Sequence, residues 1–411
     1  MYYNKIMREP VKLALNEMQK TDCSKSLSLM TQAEIEKACR FHRSFPQYTQ
    51  TPLVKLPRLA SSLGLKGIFV KDESYRFDLN AFKVLGGSYA IAKYIAKKLE
   101  KDISELDYNT LVSAETKEKL GDITFYTATD GNHGRGVAWA ANKLRQKSAI
   151  FMPKGSSLIR LQNILNEGSD ACITELYYDD AVRLAAGKAS EDSNGVVVQD
   201  TAWEGYEEIP AWIMQGYGTM SLEALRQLRE ANVERPSHIF IQAGVGSLVG
   251  AVVGYFTNIF PDNPPVMTIV EASAADNLYI SNLAGRLLGV KGNLSTLMAG
   301  LSCGEGSTIS WEILRNHAQF FSSVPNWIAS RGMRLLAAPL KGDEKIVSGE
   351  SGAVTAGLLY TLLHDSEYCD IREALGLNAD SNVLLFSTEG DTDPEKYRDI
   401  VWDGDYPSGE R

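Results

Sequence analysis

The segment "DITFYTATDGNHGRGVAWAANKLRQ", residues 122–146, decides the fold of this chain. Its first eight residues form an apolar run that is typical of a buried strand, and residues 138–146 are typical of a helix. Between them, Gly131, Gly134 and Gly136 provide the conformational freedom that a bend of the backbone requires. A strand, a glycine-rich turn and a helix in this order predict one unit of a parallel sheet with helices on its faces.

The same alternation continues on both sides of this segment. We expect a helix at 157–168, a strand followed by a helix within 237–256, and further strands at 67–73, 148–153, 170–176, 265–273 and the start of 382–393. The pattern predicts an α/β fold of parallel strands with helices on the faces of the sheet, in two blocks, one roughly in 86–212 and one after it. The first 50 residues are expected to be helical and peripheral.

Composition excludes several classes of partner. The chain has 411 residues, 44% of them hydrophobic, which is enough for a normal core. A net charge of −9 without a long basic cluster argues against a nucleic-acid partner. No apolar run approaches the length of a membrane span, and the first 20 residues do not resemble a signal peptide. Five cysteines without a CxxC pair argue against a disulfide framework and a metal site, and favour a cytoplasmic location.

Three polar loops follow predicted strands, at 127–136, 242–247 and 387–393. In open parallel sheets, ligands bind beyond the carboxyl ends of strands, but whether these loops share one cleft depends on how the blocks pack. The segment "GVGSLVG" (244–250) suits a phosphate, because it offers backbone N–H groups and the start of a helix. It could equally be a tight turn, and its spacing departs from the dinucleotide-binding pattern.

Three charged residues stand out, each with an ordinary explanation beside a chemical one. Lys83 lies between Phe82 and a pair of glycines, and it is either a surface lysine or an amine that forms a Schiff base. Asp130 is either a turn former or an acid–base group. Asp200 is either a helix cap or the partner of a buried cation. The residues alone leave these alternatives open.

Four segments together resemble the fold-type II pyridoxal-phosphate enzymes, the tryptophan synthase β-like superfamily. They are "LNAFKVLGG" (79–87), "TDGNHGRG" (129–136), "GVGSL" (244–248) and "STEGDTD" (387–393), and they occur in the order that this family shows. The resemblance implies an α/β fold of two open, twisted, mostly parallel sheets flanked by helices, and pyridoxal 5′-phosphate as the cofactor. It also implies an active site in the cleft between a large cofactor-binding domain (1–85 and 213–411) and a small α/β domain (86–212).

The resemblance carries cofactor-binding roles to particular residues. Lys83 would hold the cofactor as the internal aldimine, and Asn132 would bind its phenolic oxygen. The phosphate would lie on the backbone N–H groups of Gly244, Val245, Gly246 and Ser247. Ser387 would face the pyridine nitrogen, with Thr388 as the alternative because the alignment permits a shift of one residue. No metal is expected, and a homodimer is implied.

The resemblance also implies an activity. Within the family, "KDESYRFDLNAFKVLGGSYA" (71–90) and "VVQDTAWEGYEEIP" (197–210) look like segments of the ammonia-lyases that cleave 2,3-diaminopropionate. These enzymes perform an α,β-elimination that gives pyruvate and two ammonia molecules through an aminoacrylate intermediate. Asp130 stands where many relatives have serine, so it would act as a second base opposite Lys83 and permit use of both the D and L isomers. Asp200 would bind the second amine of the substrate.

Other functions remain as alternatives at this stage. A serine or threonine dehydratase, or a β-replacement synthase, would use the same cofactor on the same fold. The glycine-rich loop at 244–250 also admits a nicotinamide-dependent oxidoreductase. A non-catalytic binding protein is the third alternative, and Lys83 argues against it.

Overall fold

The computed structural model describes residues 9–19 and 24–407. Within these ranges the strands, in chain order, are β1 Lys12–Leu15, β2 Leu53–Lys55, β3 Gly67–Asp72, β4 Thr124–Ala128, β5 Lys147–Met152, β6 Asp170–Ile173, β7 Gly195–Val197, β8 His238–Gln242, β9 Val266–Ala272, β10 Phe320–Val324 and β11 Asn382–Ser387. The helices between them cover both faces of the sheets that these strands form.

The helices, in chain order, are α1 Ser24–Leu27, α2 Gln32–Arg43, α3 Pro57–Ser62, α4 Val84–Lys98, α5 Tyr108–Leu111, α6 Ala114–Leu120, α7 Asn132–Lys143, α8 Leu158–Asn166, α9 Tyr178–Glu191, α10 Glu208–Glu230, α11 Ser247–Ile259, α12 Asn277–Ala284, α13 Thr308–His317, α14 Asn326–Ala337, α15 Glu350–His364, α16 Cys369–Leu375 and α17 Pro394–Val401. None of the helices in the described ranges is long and apolar enough to cross a membrane.

The larger sheet has seven strands in the order β1-β10-β9-β8-β11-β3-β2. Its five central strands run parallel, and only the two edge strands, β1 and β2, are antiparallel to their neighbours. The central strands are buried along their whole length or nearly so, as parallel strands covered by helices on both faces require. The expected open, mostly parallel sheet is therefore confirmed.

The smaller sheet has four parallel strands in the order β6-β5-β4-β7. The chain proceeds from β4 outward to β5 and β6 and then returns to add β7 on the other side of β4. Crevices at such a reversal, beyond the carboxyl ends of the strands, are where α/β sheets bind ligands. The loops after β4 and β7 carry Asp130 and Asp200, so this topology brings the two carboxylates to one place.

The division into a large and a small domain stays a proposal. All four strands of the smaller sheet lie within the proposed small domain, 86–212. Both proposed boundaries lie inside helices, because α4 runs across 85/86 and α10 runs across 212/213. These two helices pack against each other.

The glycine-rich segment after β4 differs in one respect from the prediction. Helix α7 begins at Asn132, six residues before the predicted start at 138, so Gly134 and Gly136 lie inside it. Only Gly131, with φ of +153°, serves the bend itself. Gly136 permits close packing instead, since a Cβ atom there would lie 2.8 Å from the Cα of Val84 on α4.

The prediction for the first 50 residues was right for the helices α1 and α2 and wrong in two other respects. Residues 12–15 form β1, which pairs with β10 at the edge of the larger sheet. Helix α2 is not peripheral, because Ile35 and His42 are fully buried beside α10 and α4. His42 contacts Thr219 at 2.8 Å and the carbonyl of Leu85 at 3.0 Å, and burial lowers its pKa to about 3. The segment before residue 9 and Cys23 lie outside the described residues.

Candidate active site

A cavity lies where the loops of the two sheets meet. The loop after β4 contributes Asp130 and Asn132, the loop after β8 contributes the segment 244–248, and the loop after β11 contributes Thr388 and Glu389. The three polar loops that follow strands therefore share one cleft, which the sequence had left open. Lys83 and Asp200 complete the charged part of its lining.

Lys83 precedes the first residue of α4 and extends into the cavity. Its ammonium group donates a hydrogen bond of 2.5 Å to the carboxylate of Asp200, and it lies over the rings of Phe82 and Tyr217. Burial opposes the charge on Lys83, but Asp200 more than compensates and raises the pKa of the lysine. The amine is thus held in place, and it stays charged as long as Asp200 is its partner.

Asp200 is almost fully buried in the loop after β7. Its backbone carbonyl accepts a hydrogen bond from the hydroxyl of Ser247, the first residue of α11. His133 supports the same loop, since its ring nitrogen Nε2 contacts the carbonyl of Val198 at 2.7 Å. Burial lowers the pKa of His133, so the ring is neutral and donates to that carbonyl. This agrees with a structural role for His133, and it fixes Asp200 relative to the glycine-rich loop.

The turn at 129–131 shows what Asp130 does in the fold. The hydroxyl of Thr129 accepts hydrogen bonds from the backbone N–H groups of Gly131 and Gly134, at 2.9 and 3.1 Å. Thr129 is therefore the residue that forms the turn, a role that the sequence suggested for Asp130. The carboxylate of Asp130 instead pairs with Arg160, at 3.5 Å, and lines the cavity.

Asn132 and Glu389 form a second polar contact across the cleft. The side-chain amide of Asn132 donates a hydrogen bond of 2.5 Å to Glu389, whose other oxygen accepts one of 3.0 Å from the backbone of Ser351. Burial and the charge of Glu350 raise the pKa of Glu389. Glu389 was not predicted to belong to the site, although it lies in the segment "STEGDTD" (387–393).

The loop at 244–247 is built to accept a compact anion. Gly246 has φ of +103° and directly precedes the 13-residue helix α11, whose first turn faces the cavity. A Cβ atom on Gly244 would lie only 3.0 Å from the carbonyl oxygen of Gly300, so a glycine at this position permits the two backbone segments to approach closely. Backbone N–H groups at the start of a helix carry partial positive charge, which suits a phosphate.

The two hydroxyl candidates after β11 have different surroundings. Thr388 lines the cavity, and its oxygen accepts a hydrogen bond of 2.8 Å from Gln242. Ser387 contacts the hydroxyl of Ser348 at 2.8 Å and is not part of the lining. The geometry favours Thr388 as the group that faces a ligand.

This donor set fits pyridoxal 5′-phosphate. An amine, a helix start and a hydroxyl lie in one cavity, and they match its aldehyde, its phosphate and its ring nitrogen respectively. The amide of Asn132 is a donor for a ring oxygen. Cys303 also lines the cavity, but burial raises the pKa of its thiol, which makes it a poor nucleophile.

Glu350 and Arg160 lie behind this lining. Glu350 is buried at the start of α15, and one of its oxygens contacts Arg160 at 3.4 Å and Lys396 at 3.1 Å. Arg160 is an interior residue of α8, so periodicity alone gave no sign that it approaches the cleft. The sequence assigned no role to either residue.

Known proteins are similar to this chain in sequence. The family model described as "Pyridoxal-phosphate dependent enzyme" matches residues 45–386. The chain is 49% identical to a diaminopropionate ammonia-lyase of Salmonella typhimurium, over 97% of this chain and 99% of that protein. It is 47% identical to the diaminopropionate ammonia-lyase of Escherichia coli K12, over 92% and 93% of the two chains.

Solved structures give the same result. The crystal structure of the Escherichia coli diaminopropionate ammonia-lyase with D-serine matches with a TM-score of 0.91 at 44% identity, over 97% of this chain and 99% of that one. The same enzyme with an aminoacrylate-PLP azomethine reaction intermediate gives a TM-score of 0.90 at 44% identity, over the same shares of the two chains. A threonine deaminase from Solanum lycopersicum, at 19% identity and a TM-score of 0.69 over 95% and 96% of the two chains, shares the fold.

Proposed function

Since the chain belongs to the family of pyridoxal-phosphate-dependent enzymes, we propose that it is a carbon–nitrogen lyase that eliminates ammonia from 2,3-diaminopropionate. The observation that carries this proposal is the pair of carboxylates, Asp130 and Asp200, that line the cleft on which Lys83 opens. The second amine of diaminopropionate needs a carboxylate partner that serine does not need, and the other carboxylate is then available as a base. Relatives with 47% to 49% identity over nearly their whole length bear the name of this activity.

The residues that would hold the cofactor follow from the lining of the cavity. Lys83 would hold it covalently, and the backbone of Gly244, Val245, Gly246 and Ser247 would bind its phosphate. Thr388 would face the ring nitrogen and Asn132 the ring oxygen. When bound, the cofactor supplies the electron sink that stabilises negative charge at the substrate α-carbon.

Asp200 would bind the β-ammonium group of the substrate. A buried cation requires a partner of opposite charge, and Asp200 already binds the ammonium of Lys83 in this cleft. With Lys83 engaged by the cofactor, its ammonium group would no longer occupy Asp200, so the same carboxylate would be available to the substrate. Asp200 thus orients the bond to the leaving amine.

Two bases would serve the two isomers. The amine of Lys83 takes the α-proton on its own face of the substrate, and the carboxylate of Asp130 takes it on the opposite face. The β-ammonium group would leave as ammonia with the electron pair of its bond to carbon, and the base would pass the α-proton to that ammonia. Hydrolysis of the three-carbon product gives pyruvate and the second ammonia. Use of both D- and L-diaminopropionate follows from this arrangement.

One experiment tests cofactor, substrate and stereochemistry together. The visible absorbance of the purified protein is recorded before and after addition of each diaminopropionate isomer, and pyruvate release is measured alongside. We expect a yellow protein whose spectrum changes with both isomers, and kcat/KM far above that for serine. Comparable or faster turnover of serine would replace this proposal by a dehydratase. Binding of a nicotinamide dinucleotide without visible absorbance would contradict the cofactor itself.

We further propose that the enzyme is a cytoplasmic homodimer. An odd number of cysteines without close pairs supports a reducing compartment, and the resemblance to the family supports two subunits. Light scattering of the purified holoenzyme measures the oligomeric state, and a monomeric mass would contradict this proposal.

A further inference from the structure

Arg160 connects the two halves of the cleft. It lies on α8 beside the smaller sheet and is only 5% exposed. One guanidinium nitrogen, Nη1, lies 3.5 Å from Asp130, and the other, Nη2, lies 3.4 Å from Glu350 at the start of α15. Helix α15, which carries Glu350, packs on strands β8 and β11 of the larger sheet. A single buried cation therefore contacts one carboxylate from each side of the cleft.

The stem of Arg160 also supports the turn that carries Asp130. A Cβ atom on Gly131 would lie 2.9 Å from Cδ of Arg160 and 3.3 Å from its Cβ and Cγ. The methylene groups thus fill the space directly beneath this turn. Both the position of the turn and the charge beside its carboxylate depend on the same side chain.

The charges that face Asp130 make Arg160 its lasting cationic partner. Burial, together with Asp200, opposes ionisation of Asp130, while Arg160 and Lys83 favour it. Arg160 in turn also pairs with Glu350, and the charges of Glu389 and Asp393 add to the electrostatic attraction on its guanidinium group. Lys83 would be engaged by the cofactor, whereas the guanidinium of Arg160 stays beside Asp130 and keeps its charge at any working pH. Burial raises the pKa of Asp130, and Arg160 is the strongest influence in the other direction.

We propose that Arg160 is a positioning residue that holds the Asp130 carboxylate ionised and in place, and thereby governs turnover of the isomer whose proton Asp130 removes. The inference rests on the proposed function in one respect, namely that Asp130 is the base opposite Lys83. Glu350 competes for the same guanidinium and therefore opposes this effect.

The test uses kcat/KM against pH for both diaminopropionate isomers, in the holoenzyme and in variants. Arg160→Met keeps most of the stem and removes the charge, and Arg160→Lys keeps the charge. Asp130→Asn identifies the isomer that depends on Asp130, and Arg183→Met, on the exposed face of α9, is the matched control. Ionisation of the substrate affects both isomers alike, so the other isomer serves as the internal reference.

For Arg160→Met we expect turnover of the Asp130-dependent isomer to fall about tenfold to a hundredfold relative to the other isomer, since small displacements of a catalytic group have effects of that size. The acidic limb of its pH profile moves to higher pH, because the carboxylate then requires a higher pH to ionise. Arg160→Lys restores part of both effects. Glu350→Gln moves the same limb to lower pH, because Arg160 then serves Asp130 alone.

Equal losses for both isomers with unchanged pH profiles in Arg160→Met would overturn the inference and leave Arg160 as packing. If Arg160→Met does not fold or bind cofactor, Glu350→Gln decides, and an unmoved or oppositely moved limb overturns the inference. If Asp130→Asn affects both isomers equally, the assignment of Asp130 under the proposed function fails. If Asp130→Asn is selective while Arg160→Met behaves like Arg183→Met, only the role of Arg160 fails.

Discussion

The ammonium group of Lys83 lies 2.5 Å from a carboxylate oxygen of Asp200. The two residues are 117 positions apart and come from different parts of the fold, the start of α4 and the loop after β7. Asp200 is nearly inaccessible to solvent, so little water screens this pair. The contact shows that the cleft is arranged to bind an ammonium group at this point.

Substitution of Lys83 by alanine should abolish the covalent link to the cofactor. We expect the protein to lose its visible absorbance and its incorporation of label from borotritide, because among the described residues Lys83 is the one amine in the cavity lining. Turnover should fall by at least about a thousandfold, as for loss of other covalent catalytic groups. Lys97→Ala, which removes an exposed lysine of the same helix, is the control. Retention of colour and label in Lys83→Ala would show that another residue holds the cofactor.

Asp200→Asn should discriminate between substrates with and without a second amine. The amide keeps the size of the side chain but cannot balance the β-ammonium group, so kcat/KM for diaminopropionate should fall about a hundredfold. Turnover of serine should fall much less. Steady-state pyruvate release on both substrates measures the ratio. An equal fall on serine would indicate that Asp200 acts through Lys83 rather than on the substrate.

The sequence predicted those parts of the site that local patterns carry. Lys83, Asp130 and the loop at 244–247 each lie beside glycines at the junction of two elements, and such junctions are legible in the chain. Arg160 was not predictable in this way, since it reaches Asp130 only because α8 packs beneath the turn at Gly131. That contact depends on tertiary packing and leaves no signal in periodicity.

The edge of the larger sheet was missed for a related reason. Strand β1 has four residues, and its hydrogen-bonding partner β10 is about 300 positions away, so pairing rather than propensity decides its conformation. The burial of α2 has the same origin, because α10 covers the face that carries Ile35. Strand and helix propensities describe a segment by itself, whereas the conformation of β1 and the burial of α2 depend on the elements that pack against them.

Glu223→Gln should destabilise the fold. Glu223 is fully buried on α10 and pairs with Lys71 at 2.7 Å and Arg76 at 2.8 Å, both also fully buried. Removal of its charge leaves Lys71 without its ion-pair partner and Arg76 with Glu73 alone, which costs about 3–5 kcal/mol. The midpoint of urea unfolding, followed by tryptophan fluorescence, measures the loss. Glu208→Gln, whose exposed carboxylate pairs with Lys97, should change stability by no more than about 1 kcal/mol.

The loss of stability in Glu223→Gln relative to the wild type should depend on pH. Burial opposes the charge of Glu223, but Arg76 and Lys71 outweigh burial and lower its pKa to about 2 from an ordinary value of 4.5. A lowered pKa in the folded state stabilises the fold above the ordinary value, and this stabilisation is lost as pH falls toward 2. The difference in unfolding midpoint between the wild type and Glu223→Gln should therefore be constant above about pH 5 and shrink below pH 4.5. A constant difference down to pH 3 would contradict the role of the ion pairs.

Gly136→Ala should disturb the site through the backbone. A methyl group at this position would lie 2.8 Å from both the Cα and the nitrogen of Val84, and 3.0 Å from the carbonyl carbon of Lys83. These are backbone atoms that cannot rotate away, so α7 and α4 must separate and Lys83 must move with α4. We expect a loss of stability of about 1–3 kcal/mol together with weaker cofactor binding.

Gly187→Ala, inside α9 with no atom within 4 Å of the added methyl group, should leave cofactor binding unchanged and stabilise the fold by about 0.5–1 kcal/mol. Titration of the apoprotein with cofactor, beside urea unfolding, measures both, and equal behaviour of the two variants would show that the helices tolerate the added atom.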